Sequence, residues 1–211
     1  MGEVLSTGYF AGAHGPLAVI VLHEAYGLFS PNSNVPDFCD RLAGAGFSAL
    51  APDLYRGATA TSVDQALELM RALDPKNAVH QVSASMAHLR DRGTPRVAVL
   101  GFSMGGGLSF RSAREVEGLS GVIMFYATPR GEFHRLGIPV LGHFSLRDVF
   151  VSVDAVRDAE RHLLHEGKRV TFHYYDADHS FMNEKLPAFS GTAAVLAWDR
   201  TLAFLRSLSS G

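Results

Sequence analysis

Cysteine is nearly absent from this chain of 211 residues, since Cys39 is the only one. A single cysteine excludes an intrachain disulfide and any zinc site built from several thiolates. Hydrophobic runs are far shorter than the roughly 20 residues that cross a bilayer, so we expect no membrane partner. The first ten residues, MGEVLSTGYF, carry no basic segment followed by an apolar one, so we expect no secretory signal and a cytoplasmic location.

Charge of either sign is also scarce, with 19% charged residues and a formal net charge of −2. Such a surface offers no basic patch that would attract nucleic acid, which we therefore exclude as a partner. The chain has neither a phosphate-binding loop with its lysine nor a G-x-G-x-x-G dinucleotide motif, and the ten histidines lack metal-ligand spacing. We expect no cofactor and no metal.

The chain does have a regular alternation of short apolar runs and longer amphipathic stretches. The runs, typical of strands buried on both faces, are 16–24, 47–53, 96–102, 119–127, 138–145 and 169–176. The helical patterns are 35–46, 62–73, 75–93, 104–118, 152–167 and 193–208. We predict one α/β domain over residues 1–211, a three-layer sandwich with a mostly parallel central sheet, and an additional edge strand within 6–12. We also expect a monomer or a weak homodimer.

Residues 101–105 read GFSMG and stand between the apolar run 96–102 and the helical pattern 104–118. A strand, a turn and a helix around G-x-S-x-G form the context of a nucleophile elbow, in which a strained turn raises the serine hydroxyl above the sheet. We therefore predict that Ser103 is a nucleophile and that the next backbone N–H, of Met104, stabilises an oxyanion. The alternative is a plain glycine turn between a strand and a helix.

A serine hydroxyl needs a base to take its proton, and among the ten histidines His179 is the best placed. It follows the last apolar run, so its loop can hang over the elbow. Asp148 follows the preceding run and can orient the imidazole, although it could also be only an N-cap of the next helix. Asp176 and Asp178 are closer to His179 in sequence, and we expect them to support its loop. The order Ser103, Asp148, His179 is the one found in α/β-hydrolases.

Five segments of the chain, in the same order, resemble the dienelactone hydrolase family of small α/β-hydrolases. They are VIVLHEAYGL (19–28), APDLYRG (51–57), LGFSMGG (100–106), LGHFSLRDVFVS (141–152) and FHYYDADHSF (172–181). The resemblance implies an α/β-hydrolase fold with no cap domain, and it places the family's catalytic triad on the three residues just named. It also matches the family's acidic residue to Glu24 and implies a second oxyanion donor in the N–H of Ala25.

The nucleophile departs from the family pattern, because the family typically has cysteine where this chain has Ser103. In the cysteine enzymes, the residue that matches Glu24 helps to generate the thiolate. A serine hydroxyl is not acidic enough for that route, so we expect His179 to act as its general base. Glu24 is then either a structural remnant or a catalytic group, and Ser103 is either natural or an introduced replacement for cysteine.

The substrate-binding residues depart from the pattern as well. The family holds an anionic lactone with two arginines; here Arg56 lies one position away from the first, and Asn183 occupies the second. A neutral ester therefore fits better than an anionic lactone. We predict an open site with Tyr26, Phe150 and Phe181 on its walls.

Taken together, the residues predict a serine hydrolase, a carboxylesterase or lactonase, that cleaves a small ester through an acyl-enzyme on Ser103. One alternative is a dienelactone hydrolase that acts on an anionic lactone. An alternative of another class is a non-catalytic binding protein on a hydrolase scaffold, motivated by the loss of the family's usual nucleophile.

Overall fold

The computed structural model describes residues 2–12 and 15–209, in which eight strands and six α-helices form. The strands are β1 (Glu3–Leu5), β2 (Gly8–Ala11), β3 (Leu17–Leu22), β4 (Ser48–Pro52), β5 (Arg96–Phe102), β6 (Gly121–Phe125), β7 (Val140–Arg147) and β8 (Val170–Asp178). The helices are α1 (Val35–Gly44), α2 (Val63–Ala72), α3 (Pro75–Asp91), α4 (Met104–Glu115), α5 (Val153–His165) and α6 (Gly191–Ser209). All six apolar runs and all six helical patterns form the predicted elements, with ends that shift by a few residues.

The eight strands form one sheet in the order β1-β2-β4-β3-β5-β6-β7-β8. From β4 to β8 every neighbouring pair is parallel, whereas β2 is antiparallel to both β1 and β4. Parallel neighbours need crossover connections, and the helices between the strands supply them. The mostly parallel sheet and the α/β fold class predicted from the sequence are therefore confirmed.

The expected edge strand within 6–12 needs a correction. Residues 8–11 form β2, but this strand lies between β1 and β4 and is not at the edge. The edge is β1, which pairs with β2 as a hairpin through Leu5 and Gly8. The segment of β1 is only three residues long and mostly exposed, so it carries too little apolar pattern to be recognised in the sequence.

The core consists of two layers, one on each face of the sheet. All six side chains of β3 are fully buried, as the unbroken apolar run requires for a strand covered on both faces. Alternate residues of β3 point to opposite faces. The odd-numbered ones join a cluster with α1 and α6, and the even-numbered ones join a cluster with α3, α4 and α5. The predicted three-layer sandwich follows from this division.

Parallel strands place their carboxyl ends at one edge of a sheet, and that edge is where functional groups collect in such folds. Here the carboxyl ends of β3, β4, β5, β7 and β8 are followed by the segments that contain the predicted site residues. The connection between β6 and β7 holds only the short 3₁₀ turn Phe133–Arg135. No cap domain is thus inserted there. Within residues 2–12 and 15–209, no helix is both long enough and apolar enough to cross a membrane.

Candidate active site

Ser103 lies in a strained turn between β5 and α4. Its backbone has φ 50° and ψ −115°, a conformation that non-glycine residues rarely adopt, and its N–H donates to the carbonyl of Phe125 at 3.0 Å. A side-chain carbon on Gly101 would overlap the carbonyl of Gly105, and one on Gly105 would overlap the carbonyl of Leu22. The two glycines therefore let strand and helix approach closely, as a nucleophile elbow requires.

The structure brings Ser103, His179 and Asp148 together in one chain of hydrogen bonds. The Oγ of Ser103 lies 2.8 Å from Nε2 of His179, and Nδ1 of His179 lies 2.9 and 2.8 Å from the two carboxylate oxygens of Asp148. The side chain of Asp148 is only 1% exposed and that of His179 only 12%. Three residues from distant parts of the sequence thus lie within hydrogen-bond distance of one another along this chain.

The hydrogen bonds of Asp148 fix which nitrogen of His179 carries the proton. Burial raises the pKa of Asp148, but the hydrogen bond from His179, together with those from the N–H groups of Phe150 and Val151, brings the pKa below its usual value. The carboxylate is therefore ionised at neutral pH and can only accept. In neutral His179, Nδ1 must then be the donor, which leaves Nε2 as an acceptor for the hydroxyl proton of Ser103.

Asp148 is not the N-cap of the helix that follows it. The N-cap of α5 is Ser152, whose hydroxyl accepts from the N–H of Ala155 at 3.3 Å. Asp148 instead closes a turn, since its Oδ1 accepts from the N–H groups of Phe150 and Val151, each at 2.9 Å. Those two bonds fix the carboxylate in the position from which it reaches His179.

Asp176 and Asp178, which we expected to support the loop of His179, lie directly before that loop, at the end of β8. Strand β8 extends through Asp178, two residues further than the apolar run, so both side chains belong to the strand. Both pair with Arg147 on the neighbouring strand, with Nε of Arg147 at 3.0 Å from Oδ1 of Asp178. These ion pairs join the ends of β7 and β8 directly before Asp148, at the point where the register of the two strands shifts.

The N–H groups of Met104 and Ala25, the predicted oxyanion donors, belong to segments that meet at the carboxyl end of β3. Met104 is the first residue of α4, where the N–H groups of a helix have no intrahelical partner. The carbonyl of Glu24 accepts from Nδ1 of His23 at 2.7 Å and from the N–H of Gly27 at 3.2 Å. Because a trans peptide is planar, the N–H of Ala25 points away from those two donors.

His23 stays neutral while it holds this peptide. It is fully buried, and this burial lowers its pKa. Its Nε2 accepts from the N–H of Leu54 at 3.2 Å, so its proton lies on Nδ1 and is donated to the carbonyl of Glu24. The loop after β4 therefore stabilises the segment that contains Ala25. The hydroxyl of Tyr55, from the same loop, lies 3.1 Å from the sulfur of Met104.

Glu24 is buried and held by groups from two other strand ends. Its Oε1 accepts from the hydroxyl of Tyr126 at 2.8 Å, and its Oε2 lies 3.4 Å from both the hydroxyl of Ser180 and Nδ2 of Asn183. Burial raises the pKa of the Glu24 carboxyl, although these hydrogen bonds and the charge of His179 oppose the shift. The carboxyl group thus connects the segment after β3 with those after β6 and β8.

Of the three residues predicted to line the walls of the site, two are at least partly exposed and one is fully buried. Phe150 is 64% exposed, and its ring packs edge-on against His179 with centroids 5.0 Å apart. Tyr26 is half-buried beside Glu24, whose charge adds to the effect of burial and raises the pKa of the phenol. Phe181, in contrast, is fully buried and packs against Tyr126 and Tyr175, so its prediction as a wall residue is wrong. An aromatic residue next to a site can belong equally to the core, and only the tertiary packing distinguishes the two.

Of the two residues at or beside the family's arginine positions, Asn183 is buried and Arg56 is exposed. Asn183 is 1% exposed, and its Nδ2 donates to the carbonyl of Asn32 at 2.8 Å. Arg56 is exposed and lines a separate pocket of about 840 Å³ between the β1–β2 turn and α3. None of Ser103, Asp148 or His179 lines that pocket. A substrate role for Arg56 stays a prediction.

Sequence reasoning missed Tyr126, which contacts several of these residues at once. Its hydroxyl donates to Glu24, and its ring lies 4.9 Å from the ring of His179. The residue falls inside the apolar run 119–127, where an aromatic side chain is typical of a buried strand. Its one distinguishing sign in the sequence is its position near the end of that run.

The fold is that of the α/β-hydrolases, and Ser103, His179 and Asp148 are joined by hydrogen bonds at the carboxyl edge of its sheet. The chain belongs to the dienelactone hydrolase family, whose sequence model matches residues 7–209. Protein usf of Aquifex pyrophilus is 33% identical, over 94% of this chain and 92% of its own. Carboxymethylenebutenolidase 1 of Cupriavidus pinatubonensis is 29% identical, over 90% and 86%.

Solved structures extend the comparison to the fold. A dienelactone hydrolase-like promiscuous phosphotriesterase from metagenomic libraries, 21% identical, superposes with a TM-score of 0.81 over 95% of this chain and 92% of its own. At that identity the likeness concerns the fold alone. The family membership makes the chain a carboxylic ester hydrolase, as the sequence predicted.

Proposed function

We propose that this chain is a serine esterase or lactonase that cleaves small neutral esters through an acyl-enzyme on Ser103. The observation that carries the proposal is the unbroken hydrogen-bond chain from Oγ of Ser103 through His179 to Asp148. A serine hydroxyl becomes an effective nucleophile only when such a base accepts its proton in the attacking geometry.

The proposed reaction follows the order of these contacts. As Oγ of Ser103 attacks the ester carbonyl, Nε2 of His179 takes the hydroxyl proton, and it later gives that proton to the departing alkoxide. The ionised carboxylate of Asp148 stabilises the imidazolium that forms in between. The N–H groups of Met104 and Ala25 stabilise the oxyanion, a contribution of about 3 kcal/mol for each donor. Water then attacks the acyl-enzyme with His179 again as the base.

Labelling with a fluorophosphonate tests the nucleophile directly. We expect one covalent adduct, located by mass spectrometry on the peptide that contains Ser103, because the probe reacts with a hydroxyl activated by a base. The His179→Ala variant should lose the adduct. The His165→Ala variant should keep it, since His165 is exposed on α5, away from the hydrogen-bond chain. An adduct on any other residue would contradict the proposal.

The preference for a neutral substrate rests on the charges around Ser103. Arg147, on the strand that leads to Asp148, is paired with two carboxylates, and the exposed Arg56 lines a different pocket. Asp148 is ionised and Glu24 is a second carboxyl group in contact with the site. A carboxylate on the substrate would therefore meet no free cation among the described residues that contact Ser103 or His179.

Two acetate esters, one neutral and one with a carboxylate on its leaving group, measure this preference when each rate is divided by the rate of spontaneous hydrolysis of the same ester. We expect methyl para-acetoxybenzoate to be hydrolysed with a kcat/KM about 10- to 100-fold above that of para-acetoxybenzoate, since a missing charge-assisted hydrogen bond amounts to roughly 1.5–3 kcal/mol. The Phe150→Arg variant, which places a cation beside His179, should reduce the ratio of kcat/KM for the neutral ester to kcat/KM for the anionic ester. The Phe189→Arg variant, at an exposed aromatic residue just before α6, should leave it unchanged.

The second candidate function is a dienelactone hydrolase acting on an anionic lactone. It is favoured by the match to Carboxymethylenebutenolidase 1, with which this chain shares 29% identity over nearly its whole length. Equal or faster hydrolysis of the anionic ester in the comparison above would favour this candidate over the neutral esterase.

A further inference from the structure

The strongest unexplained feature near the site is the backbone of Tyr126, directly after β6. Its φ is 37°, in the left-handed region that non-glycine residues rarely adopt, and its N–H donates to the carbonyl of His143 at 2.7 Å. Strain of this kind persists only where the surroundings fix the residue, and it is concentrated at functional sites. At this edge of the sheet, Ser103 also has a positive φ.

The side chain of Tyr126 is fully buried and touches two parts of the site from opposite ends. Its ring is 4.9 Å from the ring of His179, at an angle of 59°. Its hydroxyl donates to Oε1 of Glu24 at 2.8 Å, which is shorter than the two 3.4 Å contacts at Oε2 of that carboxyl group. Burial and the charge of Glu24 raise the pKa of Tyr126 well above its usual value, so the hydroxyl stays a donor.

Each contact bears on a different element of the proposed reaction. The ring limits how far the imidazole of His179 can turn, and that imidazole must keep Nε2 at hydrogen-bond distance from Ser103. The hydroxyl fixes the carboxyl group of Glu24, and the next peptide carries the N–H of Ala25. A displacement of about 1 Å in either element is enough to lower a reaction rate strongly.

We propose that Tyr126 is a positioning residue that fixes the base through its ring and the oxyanion segment through its hydroxyl. This inference rests on the proposed function, because the two elements that it positions are the base and the oxyanion donor of that reaction. Tyr126 takes no part in a bond that forms or breaks, so its effect should appear in kcat and not in KM.

The Tyr126→Phe variant keeps the ring and removes the hydroxyl. For p-nitrophenyl acetate we expect kcat to fall about 10-fold while KM stays within about 2-fold, because the Glu24 segment loses its shortest anchor. Tyr126→Leu also removes the ring, and we expect a further loss in kcat of about 10-fold together with slower fluorophosphonate labelling of Ser103. A leucine variant as active as the phenylalanine variant would overturn the part of the inference that concerns the ring.

Tyr174→Phe is the matched control. The hydroxyl of Tyr174 donates to Oε2 of Glu160 at 2.6 Å between β8 and α5, so this variant also deletes one tyrosine–glutamate hydrogen bond. Both variants should lower the thermal unfolding midpoint similarly, but only Tyr126→Phe should lower kcat. If both variants leave kcat unchanged, the inference is overturned. If the wild-type protein does not label at Ser103, the proposed function itself fails.

Discussion

Replacing Ser103 by alanine should lower kcat/KM for p-nitrophenyl acetate by a factor of at least about 10³, the largest loss that we expect from one substitution. The attacking oxygen is removed, and His179 is left with no proton to accept from the protein. Alanine tolerates the left-handed backbone of this position no worse than serine does, so the elbow and the N–H of Met104 should stay in place. The measurement is initial-rate kinetics on the purified variant, with circular dichroism to verify the fold.

Ser112→Ala is the control for this substitution. Ser112 lies on α4 and is fully buried, and its Oγ has no hydrogen-bond partner among the described residues. Removing that oxygen should leave kcat/KM within about 2-fold of the wild-type value. Should Ser103→Ala keep most of the activity, the acyl-enzyme on Ser103 is excluded and another nucleophile must be sought.

The parts of the site that the sequence predicts are those that local patterns determine. A strand end, a turn and a helix start are encoded within about ten residues, and Ser103 lies at such a junction. The positions of Asp148 and His179 follow from the same rule, because each one comes after an apolar run and parallel strands end at one edge. Hydrophobic periodicity and chain order therefore suffice to bring these three residues together.

The parts that the sequence does not predict are those that tertiary packing determines. Phe181 follows His179 by two residues and is predicted to line the site, but its ring packs in the core against Tyr126 and Tyr175. Asn183 stands where the family has an arginine, which the sequence suggests is only the loss of a cation. In the structure it is a buried donor to Asn32 and Glu24. Apart from Tyr175 on the preceding strand, these partners lie more than 50 positions away in the sequence. No local pattern specifies such contacts.

Tyr126 and β1 illustrate two further limits. A tyrosine at the end of an apolar run looks like any strand residue, since nothing in the amino-acid sequence indicates that its φ is positive. The segment of β1 is visible only through its pairing with β2, because three mostly exposed residues have no periodicity of their own. In both cases the information lies in the neighbours and not in the segment.

Replacing Asp148 by asparagine should lower kcat by about 10³- to 10⁴-fold without disrupting the fold, because it moves the proton of His179 from Nδ1 to Nε2. Oδ1 of residue 148 accepts from the N–H groups of Phe150 and Val151, and an asparagine oxygen can keep both bonds. The amide NH₂ then replaces Oδ2, the nearer of the two oxygens at 2.8 Å from Nδ1 of His179. The remaining oxygen, Oδ1, lies 2.9 Å from Nδ1, but it is already the acceptor of those two backbone N–H groups. Two donors cannot share that contact, so Nδ1 becomes the acceptor and Nε2 carries the proton.

A protonated Nε2 can no longer accept the hydroxyl proton of Ser103, so kcat should fall. The rate at which the fluorophosphonate labels Ser103 should fall as well, for the same reason. Asp154→Asn is the matched control, since Asp154 is 91% exposed in the first turn of α5 and its ion pair with Arg157 is loose, at 3.8 Å. It should retain wild-type kinetics. An Asp148→Asn variant with wild-type kcat would mean that His179 keeps its tautomer without this carboxylate. The positioning of the base would then have to come from its other neighbours, the rings of Tyr126 and Phe150.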